Sequence, residues 1–385
     1  MGGLRISILF VILAAVGFCM PALAQSYTFT GNSSSDDYWT SAANWSPPGI
    51  PGPGDSVTIA YNTYQASGSA NSEIHGQNFT IANLTITGNG GLGNVNQYGT
   101  LQIDNGKALT VTNSITLAQS LIQDLTFGGA TLIVPATCTI TSSNVDAGAG
   151  SFPLGANILQ CNVIQSGNAN LNSGGMPYHG GGTISSPAVL TAASGTSIGF
   201  GNNSTTNLNS GITLNGSFYV SGKININFAM STGANFDVGS AAFAGFINGT
   251  GSLTTTGFIN VGASSLNGTL NVPVTINGPG FLDVNTNTLT VNKGLTCNGT
   301  ATVQKGGQLN VNSATTFNKT LGITGIVNSS GAVVNIKSGF TMTCNNPVKL
   351  EDSRLNGYGC GCDTGRGYCV EAVCPSIDAG QRRSA

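Results

Sequence analysis

TNTLTVNKGLTC (Thr286–Cys297), GGQLNVNSATTF (Gly306–Phe317) and GAVVNIKSGFTM (Gly331–Met342) are three versions of one phrase. Aligned, they place Leu289, Leu309 and Val334 in one slot and Val291, Val311 and Ile336 two residues later. Cys297, Phe317 and Met342 share a third apolar slot, and GKALTVTNSITL repeats the phrase far upstream, with Leu109, Val111 and Leu117 in the matching positions. A period of about 20 residues built from alternating apolar and polar positions predicts a β-solenoid, because one coil cannot bury its own apolar face. Coils stacked about 4.8 Å apart pair each strand with its equivalent in the next coil. The fold expected is all-β: a right-handed parallel β-helix with an N-terminal cap and a Cys-rich C-terminal tail.

Composition agrees. Of 385 residues only 7% are charged, 40% are hydrophobic, 56 are glycine, and the net charge is −2. Enough apolar residues are present for a core, which excludes a disordered chain. Gly, Asn, Thr and Ser suit tight corners between short strands. Without a basic block, binding to a nucleic-acid backbone is not expected.

Residues 1–24 read as a signal peptide. Arg5 supplies the positive charge, Ile6–Met20 the apolar stretch, and Ala22-Leu23-Ala24 the small-residue cleavage site before Gln25. No later run approaches the ~20 apolar residues of a membrane span. The expected location is therefore extracellular or at the cell surface, with no transmembrane segment after cleavage.

Residues 25–80 differ in composition and show no clear repeat. Tyr38-Trp39, Asn44-Trp45 and Pro51-Gly52-Pro53-Gly54-Asp55 precede the alternating strand Val57-Thr58-Ile59. An open solenoid end exposes strand edges and core, so we read this segment as a cap with Trp39, Asn44, Trp45, Pro51, Gly54 and Asp55 as its key residues. The alternative for the two tryptophans is an aromatic platform for sugars. The W…NW…PxxGD order resembles the opening of bacterial surface and autotransporter-like parallel β-helix proteins of the adhesin type. That resemblance covers about 25 residues, and it implies a cap that introduces the first coils.

The shaft is expected over residues 81–350, roughly 13 coils and about 60 Å long at the strand spacing. Apolar side chains should point inward and Thr, Asn or Ser outward. Asn144–Asn209 is the least regular part, and Phe152–Gly155 and Met176–Gly182 read as loops leaving the stack.

Chemistry is hard to find. Asp104, Asp124, Asp146, Asp237 and Asp283 are far apart and share no aligned coil position, and His75 and His179 have no acid or cysteine beside them in sequence. No catalytic, cofactor or metal residue is therefore assigned, and no cofactor is expected. Removing Cys19 with the signal leaves eight of the nine cysteines, an even number that favours disulfides in an exported chain. Cys360, Cys362, Cys369 and Cys374 in the 351–385 tail suit a two-disulfide staple better than a zinc knuckle, with connectivity open. Cys138 and Cys161 lie about one coil apart and are candidates for a bridge or close pair. Cys297 reads as a buried filler.

Sequons recur, for example at Asn248, Asn298 and Asn318, but chance matches are frequent in so Asn-rich a chain. Thr-x-Thr pairs suggest ice binding, yet they do not recur coil after coil, and Thr290 gives way to Asn310 and Asn335 in the aligned slot. The expected function is an exported, non-catalytic structural or adhesive surface protein. Its expected partners are further copies of itself, in a fibre or surface layer, or an envelope or extracellular glycan. The alternative is a carbohydrate-active β-helix enzyme of the lyase or hydrolase type. Ice binding is a minor third reading.

Overall fold

The structure is a computed structural model and describes residues 23–33, 35–61, 72–88, 98–124, 129–143, 158–172, 175–178, 180–239, 243–261, 267–304, 306–324, 333–336, 342–344, 348–351 and 354–357. The sequence up to Ala22, His179, the Phe152–Gly155 stretch and the four tail cysteines lie outside the described residues. Among the described residues there is no α-helix, and the architecture is strand upon strand with a single 3-10 turn at Ala42–Asn44.

Each coil lays one strand on each of three faces. Phe281–Val284, Thr288–Val291 and Leu295–Cys297 make one circuit, and Thr300–Gln304 then lands in parallel on Phe281–Val284 to begin the next. The first face is the succession Ser72–Ile74, Gly99–Ile103, Ser120–Gln123, Ile158–Gln160, Gly175–Tyr178, Ser197–Leu208, Ser217–Ile226, Asn235–Val238, Ile259–Val261, Phe281–Val284, Thr300–Gln304, Leu321–Thr324 and Val348–Glu351. These thirteen rungs span about 60 Å at 4.8 Å per step. The second face runs from Phe79–Thr87 to Arg354–Gly357, and the third from Ser26–Phe29 to Met342–Cys344. Some strands turn a corner without breaking, as Ala108–Ala118 does from the second face to the third.

Period-2 alternation explains which residues face the axis. On the first face Val220, Val238, Val261, Val284, Val303 and Ile323 stack directly above one another, all fully buried. Phe200, Phe218 and Phe236 are buried too, with ring centroids 5.8 and 6.1 Å apart in sequence. Burying each such side chain contributes about 1.5–3 kcal/mol, so the axial stacks are the dominant stabilising contribution.

Polar ladders hold the corners. Asn271 Nδ2 donates to Asn248 Oδ1 at 2.6 Å, Asn292 to Asn271 at 2.8 Å and Asn312 to Asn292 at 2.8 Å. The corner after the third face carries its own set, Asn298 donating to Asn277 at 2.8 Å and Asn318 to Asn298 at 2.5 Å. The sequons at Asn248, Asn298 and Asn318 are thus rungs of these ladders.

The stack is longer than the 81–350 expectation at both ends. Ser56–Ala60 already pairs with Phe79–Thr87, and Val333–Ile336 pairs with Arg354–Gly357. The expected irregular middle also changes: Met176, Pro177 and Tyr178 form a first-face strand paired with Ser197–Leu208, rather than a loop. Beside it, Gly181 has φ +73°, and a Cβ there would stand 2.3 Å from the Thr205 carbonyl oxygen, so only glycine lets the chain turn this corner. Cys297 is buried, as a filler must be, but the residue stacked over Phe317 is Cys344 and not Met342. The connection between second and third face is two residues longer in that coil, which shifts Met342 onto Thr315.

Candidate functional site

The cap residues assemble the amino-terminal end of the shaft. Trp45–Ser46 runs antiparallel along Ser26–Phe29 and so covers that outermost strand's free edge. Trp45 packs edge-on against Tyr27, Phe29 and Trp39, with centroids 6.1, 5.2 and 5.2 Å away, and Trp39 packs in turn against Phe79 at 5.2 Å. Their indole N–H groups donate to the Trp39 carbonyl at 3.0 Å and to Ser72 Oγ at 2.6 Å. Both tryptophans are fully enclosed, so neither offers a ring face to a sugar.

Asn44 is buried and ties the cap loop together. Its Oδ1 accepts from the Ser33 N–H at 2.7 Å, while Nδ2 donates to the carbonyls of Asp36 and Tyr38 at 3.0 and 3.1 Å. Pro51 is buried and Gly54 is open to solvent at the turn that follows. Asp55 closes that turn: its carboxylate accepts from Gly52 N at 2.7 Å and Gln25 N at 2.8 Å. Its own carbonyl takes Ala82 N from the next coil at 2.8 Å.

On the rim beside this cap sits a cluster that contradicts the reading of His75 as an isolated residue. Glu73 lies in Ser72–Ile74, and His75 follows that strand at the corner. Ile74 stacks under Ile103, so the next residue, Asp104, arrives directly over His75. Asp104 Oδ2 is in hydrogen-bond contact with His75 Nδ1, and Glu73 Oε1 stands 3.6 Å from the same nitrogen. Tyr38 stacks flat on the imidazole, centroids 4.2 Å apart and planes within 10°. Burial and a hydrogen bond to the Asp104 carboxylate push Glu73 up to about 7. The only ion pairs among the described residues are those of His75 with these two acids.

The other acids are structural. Asp124 Oδ2 accepts from Gly129 N and Ala130 N at 3.0 and 2.9 Å and closes a corner. Asp237 and Asp283 do share a column, contrary to the expectation, but Asn260 lies between them and donates to Asp237 at 2.8 Å. Asp146 lies outside the described residues.

The Cys138–Cys161 bridge does not form: both are free, buried thiols. Cys138 adjoins the third-face strand Thr139–Ser143 and lies beneath Gly167, whereas Cys161 precedes Asn162–Gln165 on the second face and lies beneath Gly180. Equal spacing in sequence set them on different corners. Burial pushes both thiols up to about 12 and Cys297 up to about 11, which leaves them unreactive.

The outward surface holds one more feature that sequence reasoning missed. On the third face Thr58, Thr85, Thr116 and Thr141 occupy one outward column on consecutive rungs, and farther along, in the separate sheet that begins at Ala229–Thr232, Thr254, Thr275, Thr296 and Thr316 form a second outward column. Asn170, Thr191 and Asn215 fill part of the interval. Threonine therefore recurs in two runs of successive rungs, interrupted by Asn170, Asn215 and Ser231. No helix among the described residues is long and apolar enough to cross a membrane. No family model, no curated protein and no solved structure matches this chain.

Proposed function

We propose that this chain is an exported, non-catalytic structural or adhesive surface protein whose solenoid shaft is its working part. The observation that supports this most directly is the continuity of the stack: thirteen first-face rungs, roofed at the amino-terminal end by Trp39 and Trp45. Corner amides bonded rung to rung stiffen the rod, and an exterior of Thr, Asn and Ser with few charges suits repeated weak contacts with a glycan or with further copies. The acid cluster argues less well for glycan cleavage. Glycosidase carboxyls stand about 5–9.5 Å apart to admit a sugar or water, whereas the donor atoms of Glu73, Asp104 and His75 all lie within 4.8 Å.

The test is direct. Negative-stain microscopy of the purified chain should give rods or filaments, and glycan arrays should give binding without cleavage. Depolymerisation of any polysaccharide in a screen of acidic and neutral polymers would replace this reading with the carbohydrate-active one.

The threonine columns favour a second reading. A run of hydroxyl and methyl groups repeating every ~4.8 Å along one face is a surface that can order water, and so bind ice. Thermal hysteresis abolished by Thr296→Lys would establish it, and freezing behaviour equal to that of an inert protein would remove it.

A further inference from the structure

We propose that Glu73, His75 and Asp104 form a divalent-cation site with one nitrogen and two oxygen donors on the amino-terminal rim of the shaft. His75 Nδ1 and one carboxylate oxygen from each acid all lie within 4.8 Å of one another. The 3.6 Å between Glu73 Oε1 and His75 Nδ1 is close to the edge of a tetrahedron with metal–ligand bonds of about 2.1 Å, roughly 3.4 Å.

The backbone that carries the donors is held before any ion arrives. Glu73 is locked on three sides: its strand pairs with Gly99–Ile103, its N–H donates to the Asp37 carbonyl at 3.0 Å, and its carbonyl accepts from Trp39 N at 2.9 Å. Asp104 is fixed by its N–H to the Ile74 carbonyl at 3.1 Å and by Lys107 N donating to its carbonyl at 3.0 Å. The stacked Tyr38 ring sets the plane of His75. This is the arrangement of a ligand set on paired strands with a supporting shell.

Charge points the same way. In a chain with 7% charged residues, two carboxylates meet at one point with no Lys or Arg paired to them among the described residues. A bound cation answers the repulsion between the two carboxylates. An imidazole donor selects a borderline ion such as Zn2+ over Ca2+ or Mg2+, which favour all-oxygen sites. Three protein donors leave a further position for water or a partner's group. This site does not depend on whether the shaft is structural, adhesive or ice-binding.

The experiment uses the full exported chain, stripped with a chelator and titrated with Zn2+ by calorimetry. We expect one saturable event at the rim, with protons released as the ion displaces them. Zinc should slow amide exchange in Ser72–Ile74 and Gly99–Ile103, and His75→Gln or Asp104→Asn should weaken that event at least about tenfold. Co2+ should give a d–d spectrum lacking thiolate charge-transfer bands, which separates this site from the tail cysteines. Absence of zinc binding overturns the proposal. So does binding that both variants leave intact, or thiolate bands with unchanged rim exchange. The exchange measurement on the unmodified chain decides the matter even where a variant misfolds.

Discussion

Replacing Asn44 by alanine should unlatch the cap while leaving the distal shaft untouched. The amide is fully buried and holds the Ser33 N–H and the Asp36 and Tyr38 carbonyls at 2.7–3.1 Å. Alanine leaves the Ser33 N–H and the Asp36 carbonyl without this partner, whereas the Tyr38 carbonyl keeps its bond from Ser41 N at 3.1 Å. An unsatisfied buried group costs about 1–3 kcal/mol. Asp36 is exposed enough for water to replace part of the loss, so we expect about 2–4 kcal/mol in total. That corresponds to roughly 30- to 700-fold faster amide exchange for groups that open with the cap. The assay is hydrogen exchange read by mass spectrometry, comparing peptides from 26–60 with peptides from 281–323. A global melting temperature is a poorer measure, because a solenoid need not unfold in one step. Asn44→Asp keeps the volume but turns a donor toward two carbonyls into an acceptor, and it should cost at least as much. A change below about 0.5 kcal/mol in the cap peptides, or equal loosening along the whole rod, would refute the assignment of Asn44 as the latch.

Four further outcomes are expected. Asn271→Ala removes a donor to Asn248 and an acceptor for Asn292, and should lower local stability around that corner by about 1–2 kcal/mol in the same exchange assay. Phe218→Ala empties the middle of the Phe200–Phe218–Phe236 stack and should cost about 3–5 kcal/mol, seen as loss of protection on the rungs either side. Cys138, Cys161 and Cys297 should ignore a thiol reagent at pH 8 in the native chain and react once it is unfolded without reductant. In the metal-free chain, Glu73 is raised from 4.5 to about 7, so the folded rim keeps a proton that the unfolded chain has released. Its contribution is full below pH 4.5 and lost as pH rises through 7, so exchange at Ser72–Ile74 should be slower at pH 5 than at pH 8 after correction for intrinsic rates.

The architecture was legible because alternation and period are local properties. Leu289, Leu309 and Val334 share a slot in the sequence, and they share a rung position in space. The motif around Trp39, Asn44, Trp45 and Asp55 was legible because its residues fall within one short stretch of sequence, although its bonds reach out to Ser33, Ser72 and Gln25. What failed was register across irregular coils. Val284 stacks on Val303, nineteen residues on, but Ile74 stacks on Ile103, twenty-nine residues on. A fixed period carries Asp104 nowhere near His75, hides the threonine columns, and puts Cys161 over Cys138 when the chain has moved it to another corner.

The sequence alone determined that this protein is a stack of coils, because each apolar alternation demands a neighbour to cover it. It also singled out Trp39 and Trp45, which the fold encloses at the amino-terminal end. Only the folded chain decided which polar residues meet, since that depends on how many residues each corner and insertion consumes before the next strand lands. The Glu73–His75–Asp104 cluster, the asparagine ladders and the threonine columns are all products of that landing.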